Sequence, residues 1–121
     1  MAITSAVLIL VAVVGGIVVG ELGGFALGRR LLRPVDGGPV AAAYVSKSAR
    51  NGGIFGSIPG LICSFPIGGN LGGGAGYAML GPIGVPIGIF LGISIILGAM
   101  VLGGHVIGGR LAARTTLPHD A

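Results

Sequence analysis

Three long apolar stretches divide the chain, and each is long enough to form a membrane helix. They run from Ile3 to Gly28, from Gly52 to Leu80 and from Ile83 to Gly109. A helix of residues 3–28 would be about 39 Å long, which exceeds the roughly 30 Å hydrocarbon core of a bilayer. The pattern predicts an all-α integral membrane protein with three transmembrane helices, at residues 3–28, 52–80 and 83–109.

The polar residues fall into two short regions, a loop at 29–51 and a tail at 110–121. All seven Lys and Arg residues of the chain lie in these two regions. Three spans would put both regions on one side of the membrane, and basic segments flanking membrane helices are retained in the cytoplasm. We therefore expect a single membrane domain over residues 1–121, with the N-terminus outside and the C-terminus inside.

Composition supports the membrane interpretation and argues against a nucleic-acid partner. Charged residues make up 8% of the chain and hydrophobic residues 53%, whereas about 25% of the residues in soluble domains are charged. The net charge of +4 comes without a nucleic-acid-binding motif. We expect the partner to be the lipid bilayer, in the plasma (cytoplasmic) membrane. The candidate headgroup ligands are Arg29, Arg30, Arg33, Lys47 and Arg50.

Glycines recur at intervals of four residues in all three stretches. Residues four apart share one side of a helix, and a row of glycines lets a second backbone approach closely. The rows predict glycine-zipper packing, with grooves left over for other membrane subunits or further copies of the chain. The rows comprise Gly16, Gly20, Gly24 and Gly28; Gly52, Gly56, Gly60, Ser64, Gly68, Gly72 and Gly76; and Gly84, Gly88, Gly92, Gly104 and Gly108.

Pro66 interrupts the second stretch. Proline lacks a backbone N–H and clashes with the preceding helical turn, so helix two is expected to be kinked or broken there. Neighbouring helices can pack such a kink. Alternatively, freed carbonyls in the segment from Ser64 to Asn70 could contact an ion or substrate, as broken helices do in transporters.

Two residues of the acidic and basic types (Asp, Glu, His, Lys, Arg) lie inside the predicted helices. Glu21 is the only charged residue of the first stretch, and His105 is the only ionisable residue of the third besides the flanking arginines. Ionisable groups in membrane helices usually face the protein interior or water. The topology predicts similar depths for both and a possible proton-relaying contact. Alternatively, Glu21 could reach the interface, pair with Arg29 or Arg30, or contact a partner subunit.

The sequence predicts no catalytic residues, cofactor or metal ligands, and Cys63 is interpreted as a packed thiol. The primary hypothesis is that the chain is a small non-catalytic subunit of a larger membrane complex. That complex could translocate ions or protons, or it could be a membrane enzyme with this chain as an accessory subunit. The alternative is a homo-oligomeric channel or transporter using Glu21, His105 and Asn70. A holin-like pore former is a third hypothesis.

Overall fold

The computed structural model describes residues 2–31 and 38–116, and these residues form helices without any strand. Helix α1 covers Ala2–Leu31, α2 covers Gly38–Cys63, α3 covers Asn70–Leu80 and α4 covers Gly84–Thr116. A π-helical segment, Ser64–Gly69, joins α2 to α3. A short 3₁₀ turn, Gly81–Ile83, joins α3 to α4.

Helix α4 lies at the centre of the bundle. It packs along α1, α2 and α3, whereas α1 and α2 touch each other over a short stretch only. Because Gly16 faces Ile93 and Gly28 faces His105, α1 and α4 run in the same direction. The α2–α3 segment runs the opposite way to α4, with Gly52 beside Gly104 and Gly76 beside Gly84.

The contact between the α2–α3 segment and α4 is made directly between backbones. A Cβ added at Gly72 would overlap the carbonyl oxygen of Gly88, and one added at Gly88 would overlap that of Gly72. No side chain fits at such a separation, so only glycine allows this approach. The same reciprocal arrangement joins Gly52 with Gly104, Gly68 with Gly92 and Gly76 with Gly84.

The contact between α1 and α4 sets glycines against side chains. A Cβ at Gly24 would lie 2.8 Å from the side chain of Val101, and one at Gly20 would lie 3.0 Å from that of Leu97. Ile93, Leu97 and Val101 are fully buried. Helix α4 therefore uses two adjacent rows, with its glycines towards α2–α3 and these larger side chains towards α1.

The predicted break at Pro66 is a change of helix type, and the chain stays helical through it. A π turn with i→i+5 bonding accommodates a proline that cannot complete the α-helical pattern. A four-spaced row also drifts by about 40° per step around an α-helix. The wider π turn offsets this drift, so that Gly52 and Gly56 before it and Gly72 and Gly76 after it all face α4.

The helix boundaries differ from the predicted ones at the basic end. Helix α1 continues to Leu31 and α2 begins at Gly38, so the predicted 29–51 loop is helical over 29–31 and 38–51. Helix α4 continues to Thr116, so the predicted tail is helical over 110–116. The polar positions there do not end the helices because Lys47, Arg50 and Arg110 are exposed, and long basic side chains suit an exposed helical face.

The turn between α3 and α4 depends on one glycine conformation. Gly81 has φ 74° and ψ −152°, a region that residues with a Cβ rarely adopt. Pro82 follows at the start of the 3₁₀ turn, where its missing N–H costs no helical hydrogen bond. The chain reverses here as the Gly81-Pro82 pair predicts.

Two helical stretches, Thr4–Leu31 and Gly38–Arg114, are long and apolar enough to cross a membrane. The second includes the turn at Gly81–Ile83. Their most apolar windows are only 17% and 22% buried, unlike the core helices of a soluble protein. Large apolar side chains such as Phe55 and Leu71 are about 70% exposed. The number of separate spans and their orientation stay predictions.

Alanine at Gly72 should destabilise the fold, whereas alanine at Gly74 should not. At Gly72 the new methyl group would overlap a backbone carbonyl, while at Gly74 nothing lies within 4 Å of it. Overpacking costs about 1–3 kcal/mol, and Gly→Ala at an open helical site gains up to about 1 kcal/mol. Thermal unfolding of both variants in the same detergent measures the difference. Equal loss of stability in the two variants would contradict the close approach.

Candidate functional site

Glu21 lies where α1 and α2 meet and is the only acidic residue among those the structure describes. Its side chain is half-buried, and the hydroxyl of Ser57 on α2 donates a hydrogen bond to Oε1. No other described residue bonds to this carboxyl group. A carboxyl–hydroxyl pair therefore bridges two helices that otherwise touch little.

The pair lies near the middle of the apolar length of the bundle. Gly20 packs against Leu97, which places Glu21 level with Gly98 on the parallel helix α4. Gly98 is about 21 Å along the axis from Gly84 and about 18 Å from Arg110. The carboxyl group is therefore remote from both ends of the helices.

The predicted contact between Glu21 and His105 does not form. His105 is level with Gly28, because a Cβ at Gly28 would lie 2.6 Å from its Nδ1. Two helical turns of α1, about 10 Å, separate Gly28 from Glu21. The sequence prediction inferred the depth of each residue from its distance to the arginines at the end of its helix. Those arginines do not mark a common level, because α4 continues well beyond Arg110. The relative depth of Glu21 and His105 is set by the packing of α1 on α4.

Phe25 lies between the two ionisable residues. It follows Glu21 by one turn on the same face of α1, and a Cβ at Gly53 would overlap its ring. The same ring meets the His105 imidazole edge-on, with centroids 5.8 Å apart and an angle of 82° between the planes. An apolar ring at this position interrupts a direct proton path between Glu21 and His105.

His105 has the environment of a packed core residue. It is 3% exposed, and its Nδ1 is buried without a hydrogen-bond partner. Arg29 at the end of α1 is close enough to interact with it electrostatically. Gly28 and the Phe25 ring pack directly against the imidazole.

Asn70 does not join the other candidate residues. It begins α3 and is exposed. The glycines on either side in the row, Gly68 and Gly72, face Gly92 and Gly88, so Asn70 lies about 12 Å nearer the turn than Glu21 along the axis. The three residues of the predicted path occupy three separate levels.

The basic side chains of the described residues gather at one end of the bundle. They are exposed, and none forms an ion pair with a described residue. Ser48 marks this level, because its hydroxyl donates to the carbonyl of Gly108 at 3.1 Å. Arg33 was also predicted to contact headgroups, and it lies outside the described residues. The group comprises Arg29, Arg30, Lys47, Arg50, Arg110 and Arg114.

Two cavities on the bundle are apolar and separate from Glu21. One of about 390 Å³ lies between the N-terminal part of α1, Tyr77 and the Gly81–Ile83 turn. The other, of about 260 Å³, is a groove between α1 and α4 beside Gly23 and Ala99. Neither is lined by Glu21, His105 or Asn70, so neither connects the predicted path.

Ser57 and Phe25 are the residues of this site that the sequence reasoning missed. The register could have indicated Ser57. If Gly52 pairs with Gly104 and Gly20 with Leu97, Ser57 falls at the level of Glu21. Neither pairing is evident from a spacing of four residues, because many alternative registers preserve that spacing.

Comparison with known proteins assigns no family to this chain. No protein-family model matches it, and no curated protein or solved structure does so either. A function for the chain is therefore inferred from the geometry of the bundle.

Replacing His105 with Phe should preserve the fold or stabilise it. The substitution removes a buried nitrogen without a partner, whose burial costs about 1–3 kcal/mol, and keeps an aromatic ring against Phe25. Gly28→Ala serves as the contrast, because its methyl group would collide with the imidazole. Thermal unfolding in detergent compares them. A marked loss of stability in His105→Phe would show that Nδ1 has an essential partner.

Proposed function

We propose that this chain is a small, non-catalytic membrane subunit that packs within a larger membrane complex by glycine-mediated helix contacts. It crosses the plasma membrane three times, as α1, the α2–α3 segment and α4. The N-terminus is outside, and the basic end of the bundle faces the cytoplasm and lipid headgroups. An ion- or proton-translocating complex is one kind of complex that this proposal includes.

The observation that carries this proposal is the reciprocal backbone contact of α4 with α2–α3, exemplified by Gly72 and Gly88. In lipid, helices gain little from hydrophobic burial and associate through close packing and polar contacts. The bundle uses its glycine rows in this way and leaves broad apolar faces uncovered, including Phe55 and Leu71. Those faces suit lipid and neighbouring membrane helices.

The position of the basic residues supports the proposed orientation. With α1 parallel to α4 and antiparallel to α2, the described cations all collect at one end. The apolar part of α4 between Gly84 and Arg110 is about 39 Å long, sufficient to cross the hydrocarbon core. The positive-inside rule then assigns this end to the cytoplasm.

A second candidate function is a homo-oligomeric channel or transporter. The observation in its favour is the half-buried carboxyl group of Glu21 near the middle of the apolar length. Ionisable groups at such a depth generally face a protein interface or water. In this alternative, neighbouring copies bring the Glu21 side chains to a shared interface, and the residues of one copy need not form a complete path.

Native mass measurement after mild detergent extraction should find the chain in complexes larger than its 11.8 kDa. Unlike subunits that co-purify in fixed ratio are expected if the chain is a complex component. Whole multiples of the chain mass would instead support the channel. A monomer under conditions that preserve other membrane complexes would contradict both. Glu21→Gln in parallel tests whether the carboxyl group is needed for assembly.

Cysteine labelling should report the orientation. Pro82→Cys lies at the turn and Lys47→Cys at the basic end, and both positions are exposed. In intact cells, an impermeant maleimide is expected to label Pro82→Cys, and to label Lys47→Cys only after permeabilisation. The natural Cys63, within the apolar length, should resist labelling in both cases and serves as the control. The reverse pattern would refute the orientation.

A further inference from the structure

The surroundings of Glu21 leave part of its carboxyl group without a partner. Ser57 uses its only hydroxyl proton to bond to Oε1. No group of the described residues donates to Oε2 or accepts from it, and the side chain is half-buried. The second oxygen is therefore free to carry a proton.

No cation of the described chain neutralises this carboxyl group. On α1, Arg29 and Arg30 lie about two turns from Glu21, towards the basic end. On α2, Lys47 and Arg50 lie about two turns or more from Ser57 towards the basic end, and Cys63 lies on the opposite side of Ser57. On α4, the Phe25 ring separates His105 from Glu21, and Arg110 lies still nearer the basic end. None forms an ion pair with Glu21. Among the described residues, the hydroxyl of Ser57 is therefore the one polar partner of this carboxyl group.

We infer that Glu21, oriented by Ser57, is a proton-binding site in the middle of the membrane. The carboxylate takes up one proton at Oε2 to become a neutral acid and releases it when water or a neighbouring subunit reaches the group. The inference rests on the membrane-spanning arrangement of the proposed function, and the ligand of this site is a proton. His105 has no part in it.

The donor set favours a proton over a metal cation. Hard cations take several oxygen ligands, about six to eight for Ca²⁺. Side chains here provide the two oxygens of Glu21 and the one of Ser57, and no cluster of three His, Cys, Asp or Glu side chains occurs among the described residues. Backbone carbonyls within the helices are already hydrogen-bonded, apart from those that lose their donor to a proline, such as Phe55 O four residues before Pro59. One further oxygen would still leave the set short of the ligands that a hard cation takes. A proton needs only the one free oxygen.

An apolar carbodiimide, dicyclohexylcarbodiimide, tests the inference on the full chain in membranes. It reacts with protonated carboxyl groups from the lipid phase. The acid O–H adds across one C=N bond to give an O-acylisourea, which rearranges to a stable N-acylurea. Intact-mass spectrometry and peptide mapping should find one adduct at Glu21, with a yield that falls as pH rises. Glu21→Gln should reduce labelling of this peptide at least tenfold.

Two serine variants provide a matched comparison. Ser57→Ala should raise the labelling rate of Glu21 several-fold, because the carboxyl group loses the bond that holds Oε1. Ser94→Ala should leave the rate unchanged, since the Ser94 hydroxyl bonds to Phe90 O of its own helix at 2.7 Å and to Gly16 O of α1 at 3.4 Å, and does not contact Glu21. Equal rates in both variants and the parent chain would contradict the positioning role of Ser57.

Sodium, potassium and lithium chloride are added in separate labelling reactions. Unchanged labelling is expected for a proton site, and protection by one of these ions would overturn the inference in favour of a cation site. Labelling that does not depend on pH would also overturn it. Alkaline carbonate extraction of the same membranes separates the two proposals. Release of the chain would refute the proposed function, whereas retention without labelling would refute the proton site.

Discussion

The close approach of two backbones, α4 and the α2–α3 segment, is the constraint on which the rest of the structure depends. At Gly72 and Gly88 each glycine would collide with the carbonyl of the other if it carried a Cβ. This separation sets the register of the hairpin and thereby the level of every side chain on α2. Ser57 meets Glu21 only because the glycines fix where α2 lies against α4, and α4 in turn holds α1.

Helix type and the main apolar stretches were accessible from the sequence, whereas the levels of individual residues were not. Periodic glycines and long apolar runs indicate packed apolar helices, and the Gly81-Pro82 pair indicates the turn. The positions of Glu21 and His105 depend on how far α1 slides along α4. Steps of four residues are equivalent in the pattern, so the spacing does not reveal which side chain of α4 each glycine of α1 meets, such as the imidazole at Gly28. The start of α2 at Gly38 was missed because polar residues on an exposed helical face resemble a loop.

Phe25 changes the interpretation of both ionisable groups. With its ring between them, Glu21 shares a layer with Ser57, and His105 belongs to the packed end of the bundle near Arg29. A residue can therefore be ionisable and buried and still have only a packing role. Glu21 differs because it has a polar neighbour on another helix and keeps one oxygen free. Glu21 and His105 therefore differ in the partners that the fold gives them. Judged by burial alone, His105 would have been the stronger candidate for a functional residue.

The central position of α4 also has a consequence for the order of assembly during synthesis. Helix α1 emerges from the ribosome before α2, α3 and α4, yet its glycine face packs on α4. Until then α1 has almost no partner within the chain, since its contact with α2 is short. The α3–α4 hairpin can form locally from residues close in sequence, which is the faster kind of contact. Packing of α1 onto α4 is thus a late step, which follows formation of the α3–α4 hairpin.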